Sequence, residues 1–246
     1  MVRVGVLGAA GRMGSTVCAA VDAAADLDLV AQLDEGDSLD LLEKADTQVT
    51  VDFTTPDAVG SNVAWLLEHG IHAVVGTTGW SDDDLARWRR LAEEGPANAI
   101  VAPNFALGAV LMIHLARIVA PHLPDVEIIE LHHDGKADAP SGTALMTADV
   151  IADARRETPD VVLGEKLDGA RGADRSSIRV HALRLPGLVA HQEVIFGGTG
   201  QTLSVRHDTV DRTAFMPGVL LAIREVAERP GLTLGLDRLL GLEAST

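Results

Sequence analysis

The chain has 246 residues, a formal net charge of −16 at pH 7, and 47% hydrophobic against 23% charged residues. That is enough for one large or two small folded domains, and it excludes a disordered chain. The acidic balance excludes a duplex-binding surface, which needs clustered cations. Seven aromatics, with no Tyr, leave little for a single-strand stacking groove.

The first hundred residues alternate between two periods. Val2–Leu7 reads as a continuous apolar strand and Gly11–Ala24 as a helix. Cys18, the single cysteine, excludes an internal disulfide and makes no cysteine-based zinc site; it reads as a small apolar residue packed in that helix. Val4–Ala10 is short, interrupted by glycine and followed by Arg12, so it does not read as a signal peptide. Leu27–Leu33 and Gln48–Phe53 are the next strands. Thr55-Pro56 opens a helix, with Thr as N-cap and Pro at the first helical position, that runs to about His69 and stops at Gly70. Ile71–Val75 is a fourth strand. Ser81-Asp82-Asp83-Asp84 reads as a capping box for a helix to Glu94, and Ala99–Ala102 as a fifth strand. Apolar strands alternating with amphipathic helices imply a parallel sheet with right-handed crossovers. The uncharged stretch Gly95–Ala116 carries Pro96, Asn98, Pro103, Asn104 and His114, which argue against a membrane span. A reducing cytoplasm is the expected location.

The pattern then changes. Phe105–Ala120 reads as an apolar helix, Val126–Leu131 as a strand, Ser141–Arg156 as a helix capped by Ser141, and 157–177 as a long loop. Ile178–Leu185, Glu193–Phe196 and Leu203–Arg206 read as strands of a mixed or antiparallel sheet. Thr213–Ala227 is helical again and is expected to pack on the first domain. The expected fold is therefore α/β: a Rossmann-like parallel-sheet domain from residues 1–105 plus 215–246, and an α+β domain with a mixed open sheet from 106–214. Charge divides similarly. Residues 1–105 hold 6 Lys/Arg and 17 Asp/Glu, whereas 106–214 hold 11 and 15 together with seven of the nine histidines. The cationic and titratable groups of the second segment suit an anionic substrate.

Gly8-Ala9-Ala10-Gly11-Arg12-Met13-Gly14 joins the first strand to the first helix. Such a turn brings backbone N–H groups and a helix N-terminus to a pyrophosphate. Asp34 ends the second strand twenty residues after Gly14, where a carboxylate is expected to hydrogen-bond the adenine ribose hydroxyls. With Glu35 it disfavours a 2′-phosphate, and Arg12 is the nearby cation that offsets them. The expected cofactor is NADH, with NADPH tolerated. Gly76-Thr77-Thr78-Gly79 and Ala102-Pro103-Asn104-Phe105 follow the fourth and fifth strands, at carboxyl ends where open α/β sheets bind ligands. Each alone also reads as an ordinary βα turn.

The densest constellation is Glu130-Leu131-His132-His133-Asp134-Gly135-Lys136-Ala137-Asp138-Ala139-Pro140-Ser141-Gly142-Thr143. Adjacent strand residues point to opposite faces, so His132 and His133 do not read as ligands of one metal, and no metal is expected. A histidine can act as an acid near neutral pH, a lysine can donate a proton or hold a carboxylate, and the Ser141, Gly142 and Thr143 amides offer an anion site. Together they suit a small carboxylate that must be protonated. The plain alternative is a solvated turn before a capped helix. His181, His191 and His207 read as structural histidines.

Gly8–Gly14, Asp52-Phe53-Thr54, Gly76–Gly79, Ala102–Phe105, and above all the block from Glu130 to Ala144, resemble the dihydrodipicolinate reductase family, also called 4-hydroxy-tetrahydrodipicolinate reductase. His191-Gln192-Glu193-Val194 and Arg206-His207-Asp208 extend the resemblance along the whole chain. The resemblance implies a homotetramer assembled through the second domain's sheet. It also implies pyridine-nucleotide reduction of a cyclic dicarboxylate to tetrahydrodipicolinate, in the diaminopimelate/lysine pathway. By position it makes His132 the proton donor, and Lys136 a second donor or substrate-binding lysine. His133, Gly142 and Thr143 become substrate-carboxylate contacts. Gly8–Gly14, Asp34, Gly76–Thr78 and Ala102–Phe105 become cofactor contacts. The chain departs from the family's habit in two places: Asp134-Gly135 replaces a bulkier or more basic pair, and Ala10 stands where some relatives carry lysine. Competing readings are an amino-acid or homoserine-type two-domain dehydrogenase, which lacks the His-His…Lys…Asp-Ala-Pro-Ser-Gly-Thr block, and a non-catalytic nucleotide-binding protein, against which His132, His133 and Lys136 argue.

Overall fold

A strand that is apolar apart from one residue at its start needs cover on both faces, and Val2–Leu7 (β1) has it: beyond Arg3 its last four residues are buried. In the computed structural model, which describes residues 1–156 and 164–242, β1 is followed by Arg12–Asp22 (α1), Leu27–Leu33 (β2), Asp40–Lys44 (α2), Val49–Asp52 (β3) and Pro56–Glu68 (α3). His72–Val75 (β4), Asp82–Glu94 (α4) and Ala99–Val101 (β5) complete the first run. The capping box is present: Asp84 N donates to Ser81 Oγ (3.1 Å), and Ser81 N donates to Asp84 Oδ2 (2.9 Å). Pro56 stands in the first turn of α3, and Gly70 takes φ +74° just beyond it.

Leu107–Val119 (α5), Asp125–His132 (β6), Gly142–Ala154 (α6), Ala173–Arg175 (β7), Ile178–Arg184 (β8), Ala190–Gly198 (β9) and Gln201–Thr209 (β10) follow. A 3₁₀ turn at Arg212–Phe215, helix Met216–Glu225 (α7), a second 3₁₀ turn and strand Leu232–Leu234 (β11) end the described chain.

The chain forms two compact units. One takes in Met1–Leu107 and the chain from Arg212 onward, and the other Gly108–Asp211. In the first, six strands lie in the order β11-β5-β4-β3-β1-β2, every pair parallel. The order reverses between β1 and β3, the topological switch point where open α/β sheets hold ligands. Val59, Val63, Leu66, Leu67 and Trp88 bring α3 and α4 onto this sheet. α7 packs against α1, and Arg224 donates to Asp26 across a sequence gap of 198 residues. Cys18 is buried in α1, and burial raises its thiol pKa.

The second unit has the order β10-β9-β6-β8-β7. Only β6–β8 is parallel, so the sheet is mixed. Ile113, Ala116, Ile128, Ala148, Ile151, Val194 and Phe196 join α5 and α6 to one face of it.

The structure departs from the sequence expectation in four places. Strand β7 lies inside the segment read as a loop, where three exposed residues give no hydrophobic period; residues 157–163 of that segment lie outside the described residues. Helix α2 and strand β11 are five and three residues long, too short to register against a period. The last helix is broken into 3₁₀, α and 3₁₀ pieces. Strands β9 and β10 extend beyond 193–196 and 203–206, because their antiparallel ladder continues through polar residues from Ala190 to Gly198.

Candidate active site

In the first unit, the turn after β1 closes on itself. Gly8 sits at φ +74°, a backbone region that side chains disfavour, and a Cβ there would lie 2.5 Å from the Phe53 carbonyl oxygen. A Cβ on Gly14 would lie 1.9 Å from the Gly8 oxygen, so the helix can start this close to the strand only with glycine. Helix α1 supplies no side-chain cap and no acidic residue in its own first turn, so its N-terminal amides are not satisfied from within the helix. A cavity of about 790 Å³ opens at the switch point, lined by Gly8 and Gly11 after β1, Asp34 and Asp37 after β2, and Phe53 and Thr54 after β3. A dinucleotide fits this donor set: the turn suits a pyrophosphate, and the carboxylate at the tip of β2 suits a ribose.

Asp34 already has a partner. Ala10 N donates to its carboxylate at 3.0 Å, so a ribose would share or displace that bond. Ala9, Met13 and Gly14 are buried or half-buried in the turn, while Ala10, Gly11 and Arg12 are exposed. Of the residues after β4, Gly76 is close-packed under the Phe53 ring, and Thr77 is buried with its hydroxyl donating to Asp52 Oδ1 (2.7 Å). Thr78 and Pro103 are exposed, Ala102 and Phe105 are core, and Asn104 Oδ1 accepts from Ala106 N (2.8 Å). Phe105 packs against Phe53 with ring centroids 6.1 Å apart. Asp52 enters the sequence analysis only within the Asp52-Phe53-Thr54 motif, with no role of its own. It is fully buried and accepts from Thr54, Asn62 and Thr77, tying the β3–α3 and β4–α4 segments together.

In the second unit, Glu130 and His132 are two residues apart on β6 and share one face. His132 Nδ1 lies 2.5 Å from Glu130 Oε2. Arg184, opposite His132 on the neighbouring strand β8, donates from Nη1 (2.9 Å) and Nη2 (2.8 Å) to the same carboxylate, and Ser141 N donates at 3.1 Å. Burial alone would raise the Glu130 carboxyl pKa, but hydrogen bonds from His132 and Arg184 outweigh it and bring it down to about 2. Arg184 also donates to the carbonyls of Leu183, Asp138 and Lys136, so its five N–H groups are all used and the turn after β6 is stapled to the sheet. His132 is 15% exposed, and among the described residues no group hydrogen-bonds its Nε2.

Lys136 is half-buried, and its Nζ donates to both oxygens of Asp138 (2.7 and 2.8 Å). The lysine holds the Asp138 carboxyl below the usual carboxylate range. His133 and Gly142 are exposed nearby in sequence, and a Cβ on Gly142 would meet open space. Ser141 is buried: its Oγ accepts from Ala144 N (3.2 Å) as the cap of α6. Its amide, expected to be exposed, is spent on Glu130. The Thr143 carbonyl accepts from Thr147 Oγ1 (2.7 Å), which in turn accepts from Gln192 Nε2 (2.8 Å), so β9 steadies the first turn of α6.

The segment thus brings His132, Lys136 and the start of α6 together. Sequence reasoning missed Glu130 and Arg184 as working residues. The i, i+2 spacing from His132 marks Glu130, but nothing local marks Arg184, 54 residues from Glu130. Of the histidines read as structural, His181 bonds Glu127, His191 Nδ1 bonds Asp208 while its Nε2 accepts from Val189 N, and burial lowers the His207 pKa.

The same fold occurs in an amine dehydrogenase from Mycobacterium smegmatis (14% identical, TM-score 0.67, 96% of this chain and 95% of that one), a likeness of fold alone. A solved structure described as dipicolinate-bound dihydrodipicolinate reductase from Paenisporosarcina sp. TG-14 is 40% identical with a TM-score of 0.88, over 97% of this chain and 99% of that one. The matches that follow make the chain a nicotinamide-dependent oxidoreductase, a class the glycine-turn cavity suits. Models described as dihydrodipicolinate reductase, N-terminus and C-terminus, match residues 2–105 and 108–240. The relatives named 4-hydroxy-tetrahydrodipicolinate reductase from Nocardia farcinica (55% identical, 98% of this chain, 99% of the relative) and Mycolicibacterium vanbaalenii (54%, 98%, 100%) agree. The chain belongs to the dihydrodipicolinate reductase family.

Proposed function

We propose that this chain reduces the ring of a cyclic dicarboxylate, the 4-hydroxy-tetrahydrodipicolinate (dihydrodipicolinate) substrate of its family, to tetrahydrodipicolinate in the diaminopimelate/lysine pathway. When bound, the nicotinamide supplies hydride to C4 of the unsaturated ring. The chain must then protonate C3, where electron density conjugated to the imine accumulates. His132 gives that proton from Nε2. Lys136, His133 and the start of α6 at Ser141, Gly142 and Thr143 hold the two carboxylates and stabilise developing charge. The observation that carries this reading is the His132–Glu130 hydrogen bond, which leaves Nε2 the working nitrogen in a segment that also carries Lys136 and the α6 N-terminus.

Lys136 can exchange Asp138 for a substrate carboxylate at small cost, because a solvent-accessible ion pair is worth only about 0–1 kcal/mol. The residues of the first unit hold the cofactor through Gly8–Gly14 and Asp34, with Gly76–Thr78 and Ala102–Phe105 toward the nicotinamide half. Asp34 and Glu35 favour NADH, and Arg12 lets NADPH bind more weakly.

The proposed domain roles follow: cofactor binding by residues 1–105 with 215–246, substrate binding and assembly by 106–214. Leu183, Leu185 and Leu203, exposed on strands or the turn of the mixed sheet, support assembly through that sheet into a homotetramer. No helix among the described residues is long and apolar enough to cross a membrane, and a cytoplasmic location is part of the proposal. The test is a steady-state assay with the pathway substrate generated in situ and NADH or NADPH oxidation followed by absorbance. Turnover with a higher kcat/KM for NADH is expected; no oxidation with either nucleotide would end the reading.

A further inference from the structure

We infer that Glu130 is a positioning residue for proton transfer: it fixes His132 as the Nδ1–H tautomer, so that Nε2 is the nitrogen that delivers the proton. The inference deepens the proposal above and rests on His132 being the proton donor.

Glu130 has no solvent exposure, and four donors surround its two oxygens. Three of these donors have fixed direction. The Arg184 guanidinium and the Ser141 amide can only donate, so the carboxylate receives three hydrogen bonds before His132 is considered. An oxygen so placed is an acceptor, and Nδ1 at 2.5 Å must carry a hydrogen in both charge states of the ring. Nε2 is therefore the site that gains and loses the proton. In the transfer, the Nε2–H bond breaks, its electron pair stays on Nε2, and a C–H bond forms at C3 of the ring. The product is the neutral Nδ1–H imidazole, still bonded to Glu130. No ring flip and no proton movement onto Glu130 is needed, and solvent restores the imidazolium.

The charge balance around His132 includes more than Glu130. Arg184 comes from β8, and Asp134, Lys136 and Asp138 from the following turn, with His133 adjacent in the chain. From β9, His191 stands opposite Leu131 and bonds Asp208 of β10, which is also held by Arg206. The first turn of α6 carries no acidic side chain. Of these, Glu130 is the carboxylate in direct contact with the imidazole. Arg184 reaches the imidazole only through that carboxylate, to which it donates from both Nη atoms.

Activity that needs the imidazolium falls as pH rises. Glu130→Gln removes the carboxylate charge that faces Nδ1–H, so the descending limb of the kcat profile is expected to move to lower pH. At pH 8 kcat should fall roughly tenfold or more, with recovery toward low pH and an unchanged Kd for NADH. Glu130→Asp, which keeps the charge, should return the limb toward its original position. A purely structural role for Glu130 predicts equal loss at every pH with the limb unmoved, and that result would overturn the inference.

A second measurement needs no Glu130 variant to fold. In wild-type protein labelled with ¹⁵N-histidine, the His132 signal (assigned by its loss in His132→Gln) should report an Nδ1–H neutral ring. A neutral Nε2–H ring would overturn the inference. Wild-type kcat in His132→Gln would instead overturn the proton-donor reading beneath it, whereas an inactive His132→Gln with an unmoved limb in Glu130→Gln overturns the inference alone.

Discussion

The two functional regions use opposite parts of the polypeptide. The turn from Gly8 to Gly14 works through the backbone: three of its seven residues are glycine, and its geometry depends on approaches such as that of Gly14 to the Gly8 oxygen. The segment from Glu130 to Thr143 works through side chains held by other side chains, with one buried carboxylate receiving four hydrogen bonds. Backbone devices tolerate no added atom but demand no partner elsewhere. Side-chain networks tolerate small shape changes but fail when charge is lost. Substitutions in the two regions should therefore fail in different observables.

The largest effect should come from His132→Ala. It removes the group assigned to protonate C3, and kcat should drop by about 10²–10⁴. The Kd for NADH, measured by fluorescence titration, should stay within twofold or so, because the turn at Gly8–Gly14 is untouched. An unchanged kcat would remove the contrast at its root.

Next in size is the acid sensitivity of the second region. Glu130 titrates near 2 in the folded protein, against an ordinary value of 4.5. A folded-state pKa below the unfolded one stabilises the fold fully above pH 4.5, and that stabilisation disappears as pH falls toward 2. The effect is on the order of 3 kcal/mol. Calorimetry of wild type and Glu130→Gln between pH 7 and 2.5 isolates it: the melting temperature of the variant should fall less steeply with acid. Parallel curves would show that the carboxylate gains nothing from its partners.

These two regions also differ in how far they can be read from sequence. The glycine turn is a local device, so spacing alone placed it between β1 and α1. The apolar runs and the Ser81 and Thr55-Pro56 helix starts were legible for the same reason. His132, Lys136 and Ser141 were legible because they are close in the chain. Arg184 was not, since its meeting with Glu130 depends on the parallel register of β6 and β8. The engagement of the Ser141 amide by Glu130, and of the Asp34 carboxylate by Ala10, were hidden too: local patterns show which groups could bind a ligand, but not which are already bonded. The short elements α2, β7 and β11 owe their conformation to neighbours rather than to a period of their own.

Gly14→Ala should act on the other region and in the other observable. A Cβ 1.9 Å from a carbonyl oxygen forces α1 away from the turn. The cost should be about 1–3 kcal/mol of stability, as for other overpacked sites. NADH affinity should weaken roughly tenfold or more, while the pH at which kcat declines stays where it was. A weakened affinity accompanied by a moved pH limb would mean that the two regions are coupled more tightly than their separate chemistries require.

The smallest effect sharpens the comparison most, because one local motif occurs in both regions. Ser81 caps α4 and Ser141 caps α6, each accepting from the amide three residues on. Replacing either by Ala should cost about 1 kcal/mol through the lost cap. At Ser81 the consequence should end there, since its remaining bonds are to Asp84 and Leu85 within the same turn. At Ser141 the cap also sets where the amide meets Glu130 and where Gly142 and Thr143 begin the helix. Ser141→Ala should therefore raise the KM for the dicarboxylate severalfold at a stability loss matched by Ser81→Ala, whose KM stays at the wild-type value. Equal stability losses with equal KM values would show that the start of α6 is only a helix start, and the substrate carboxylates would then have to be held by His133 and Lys136 without it.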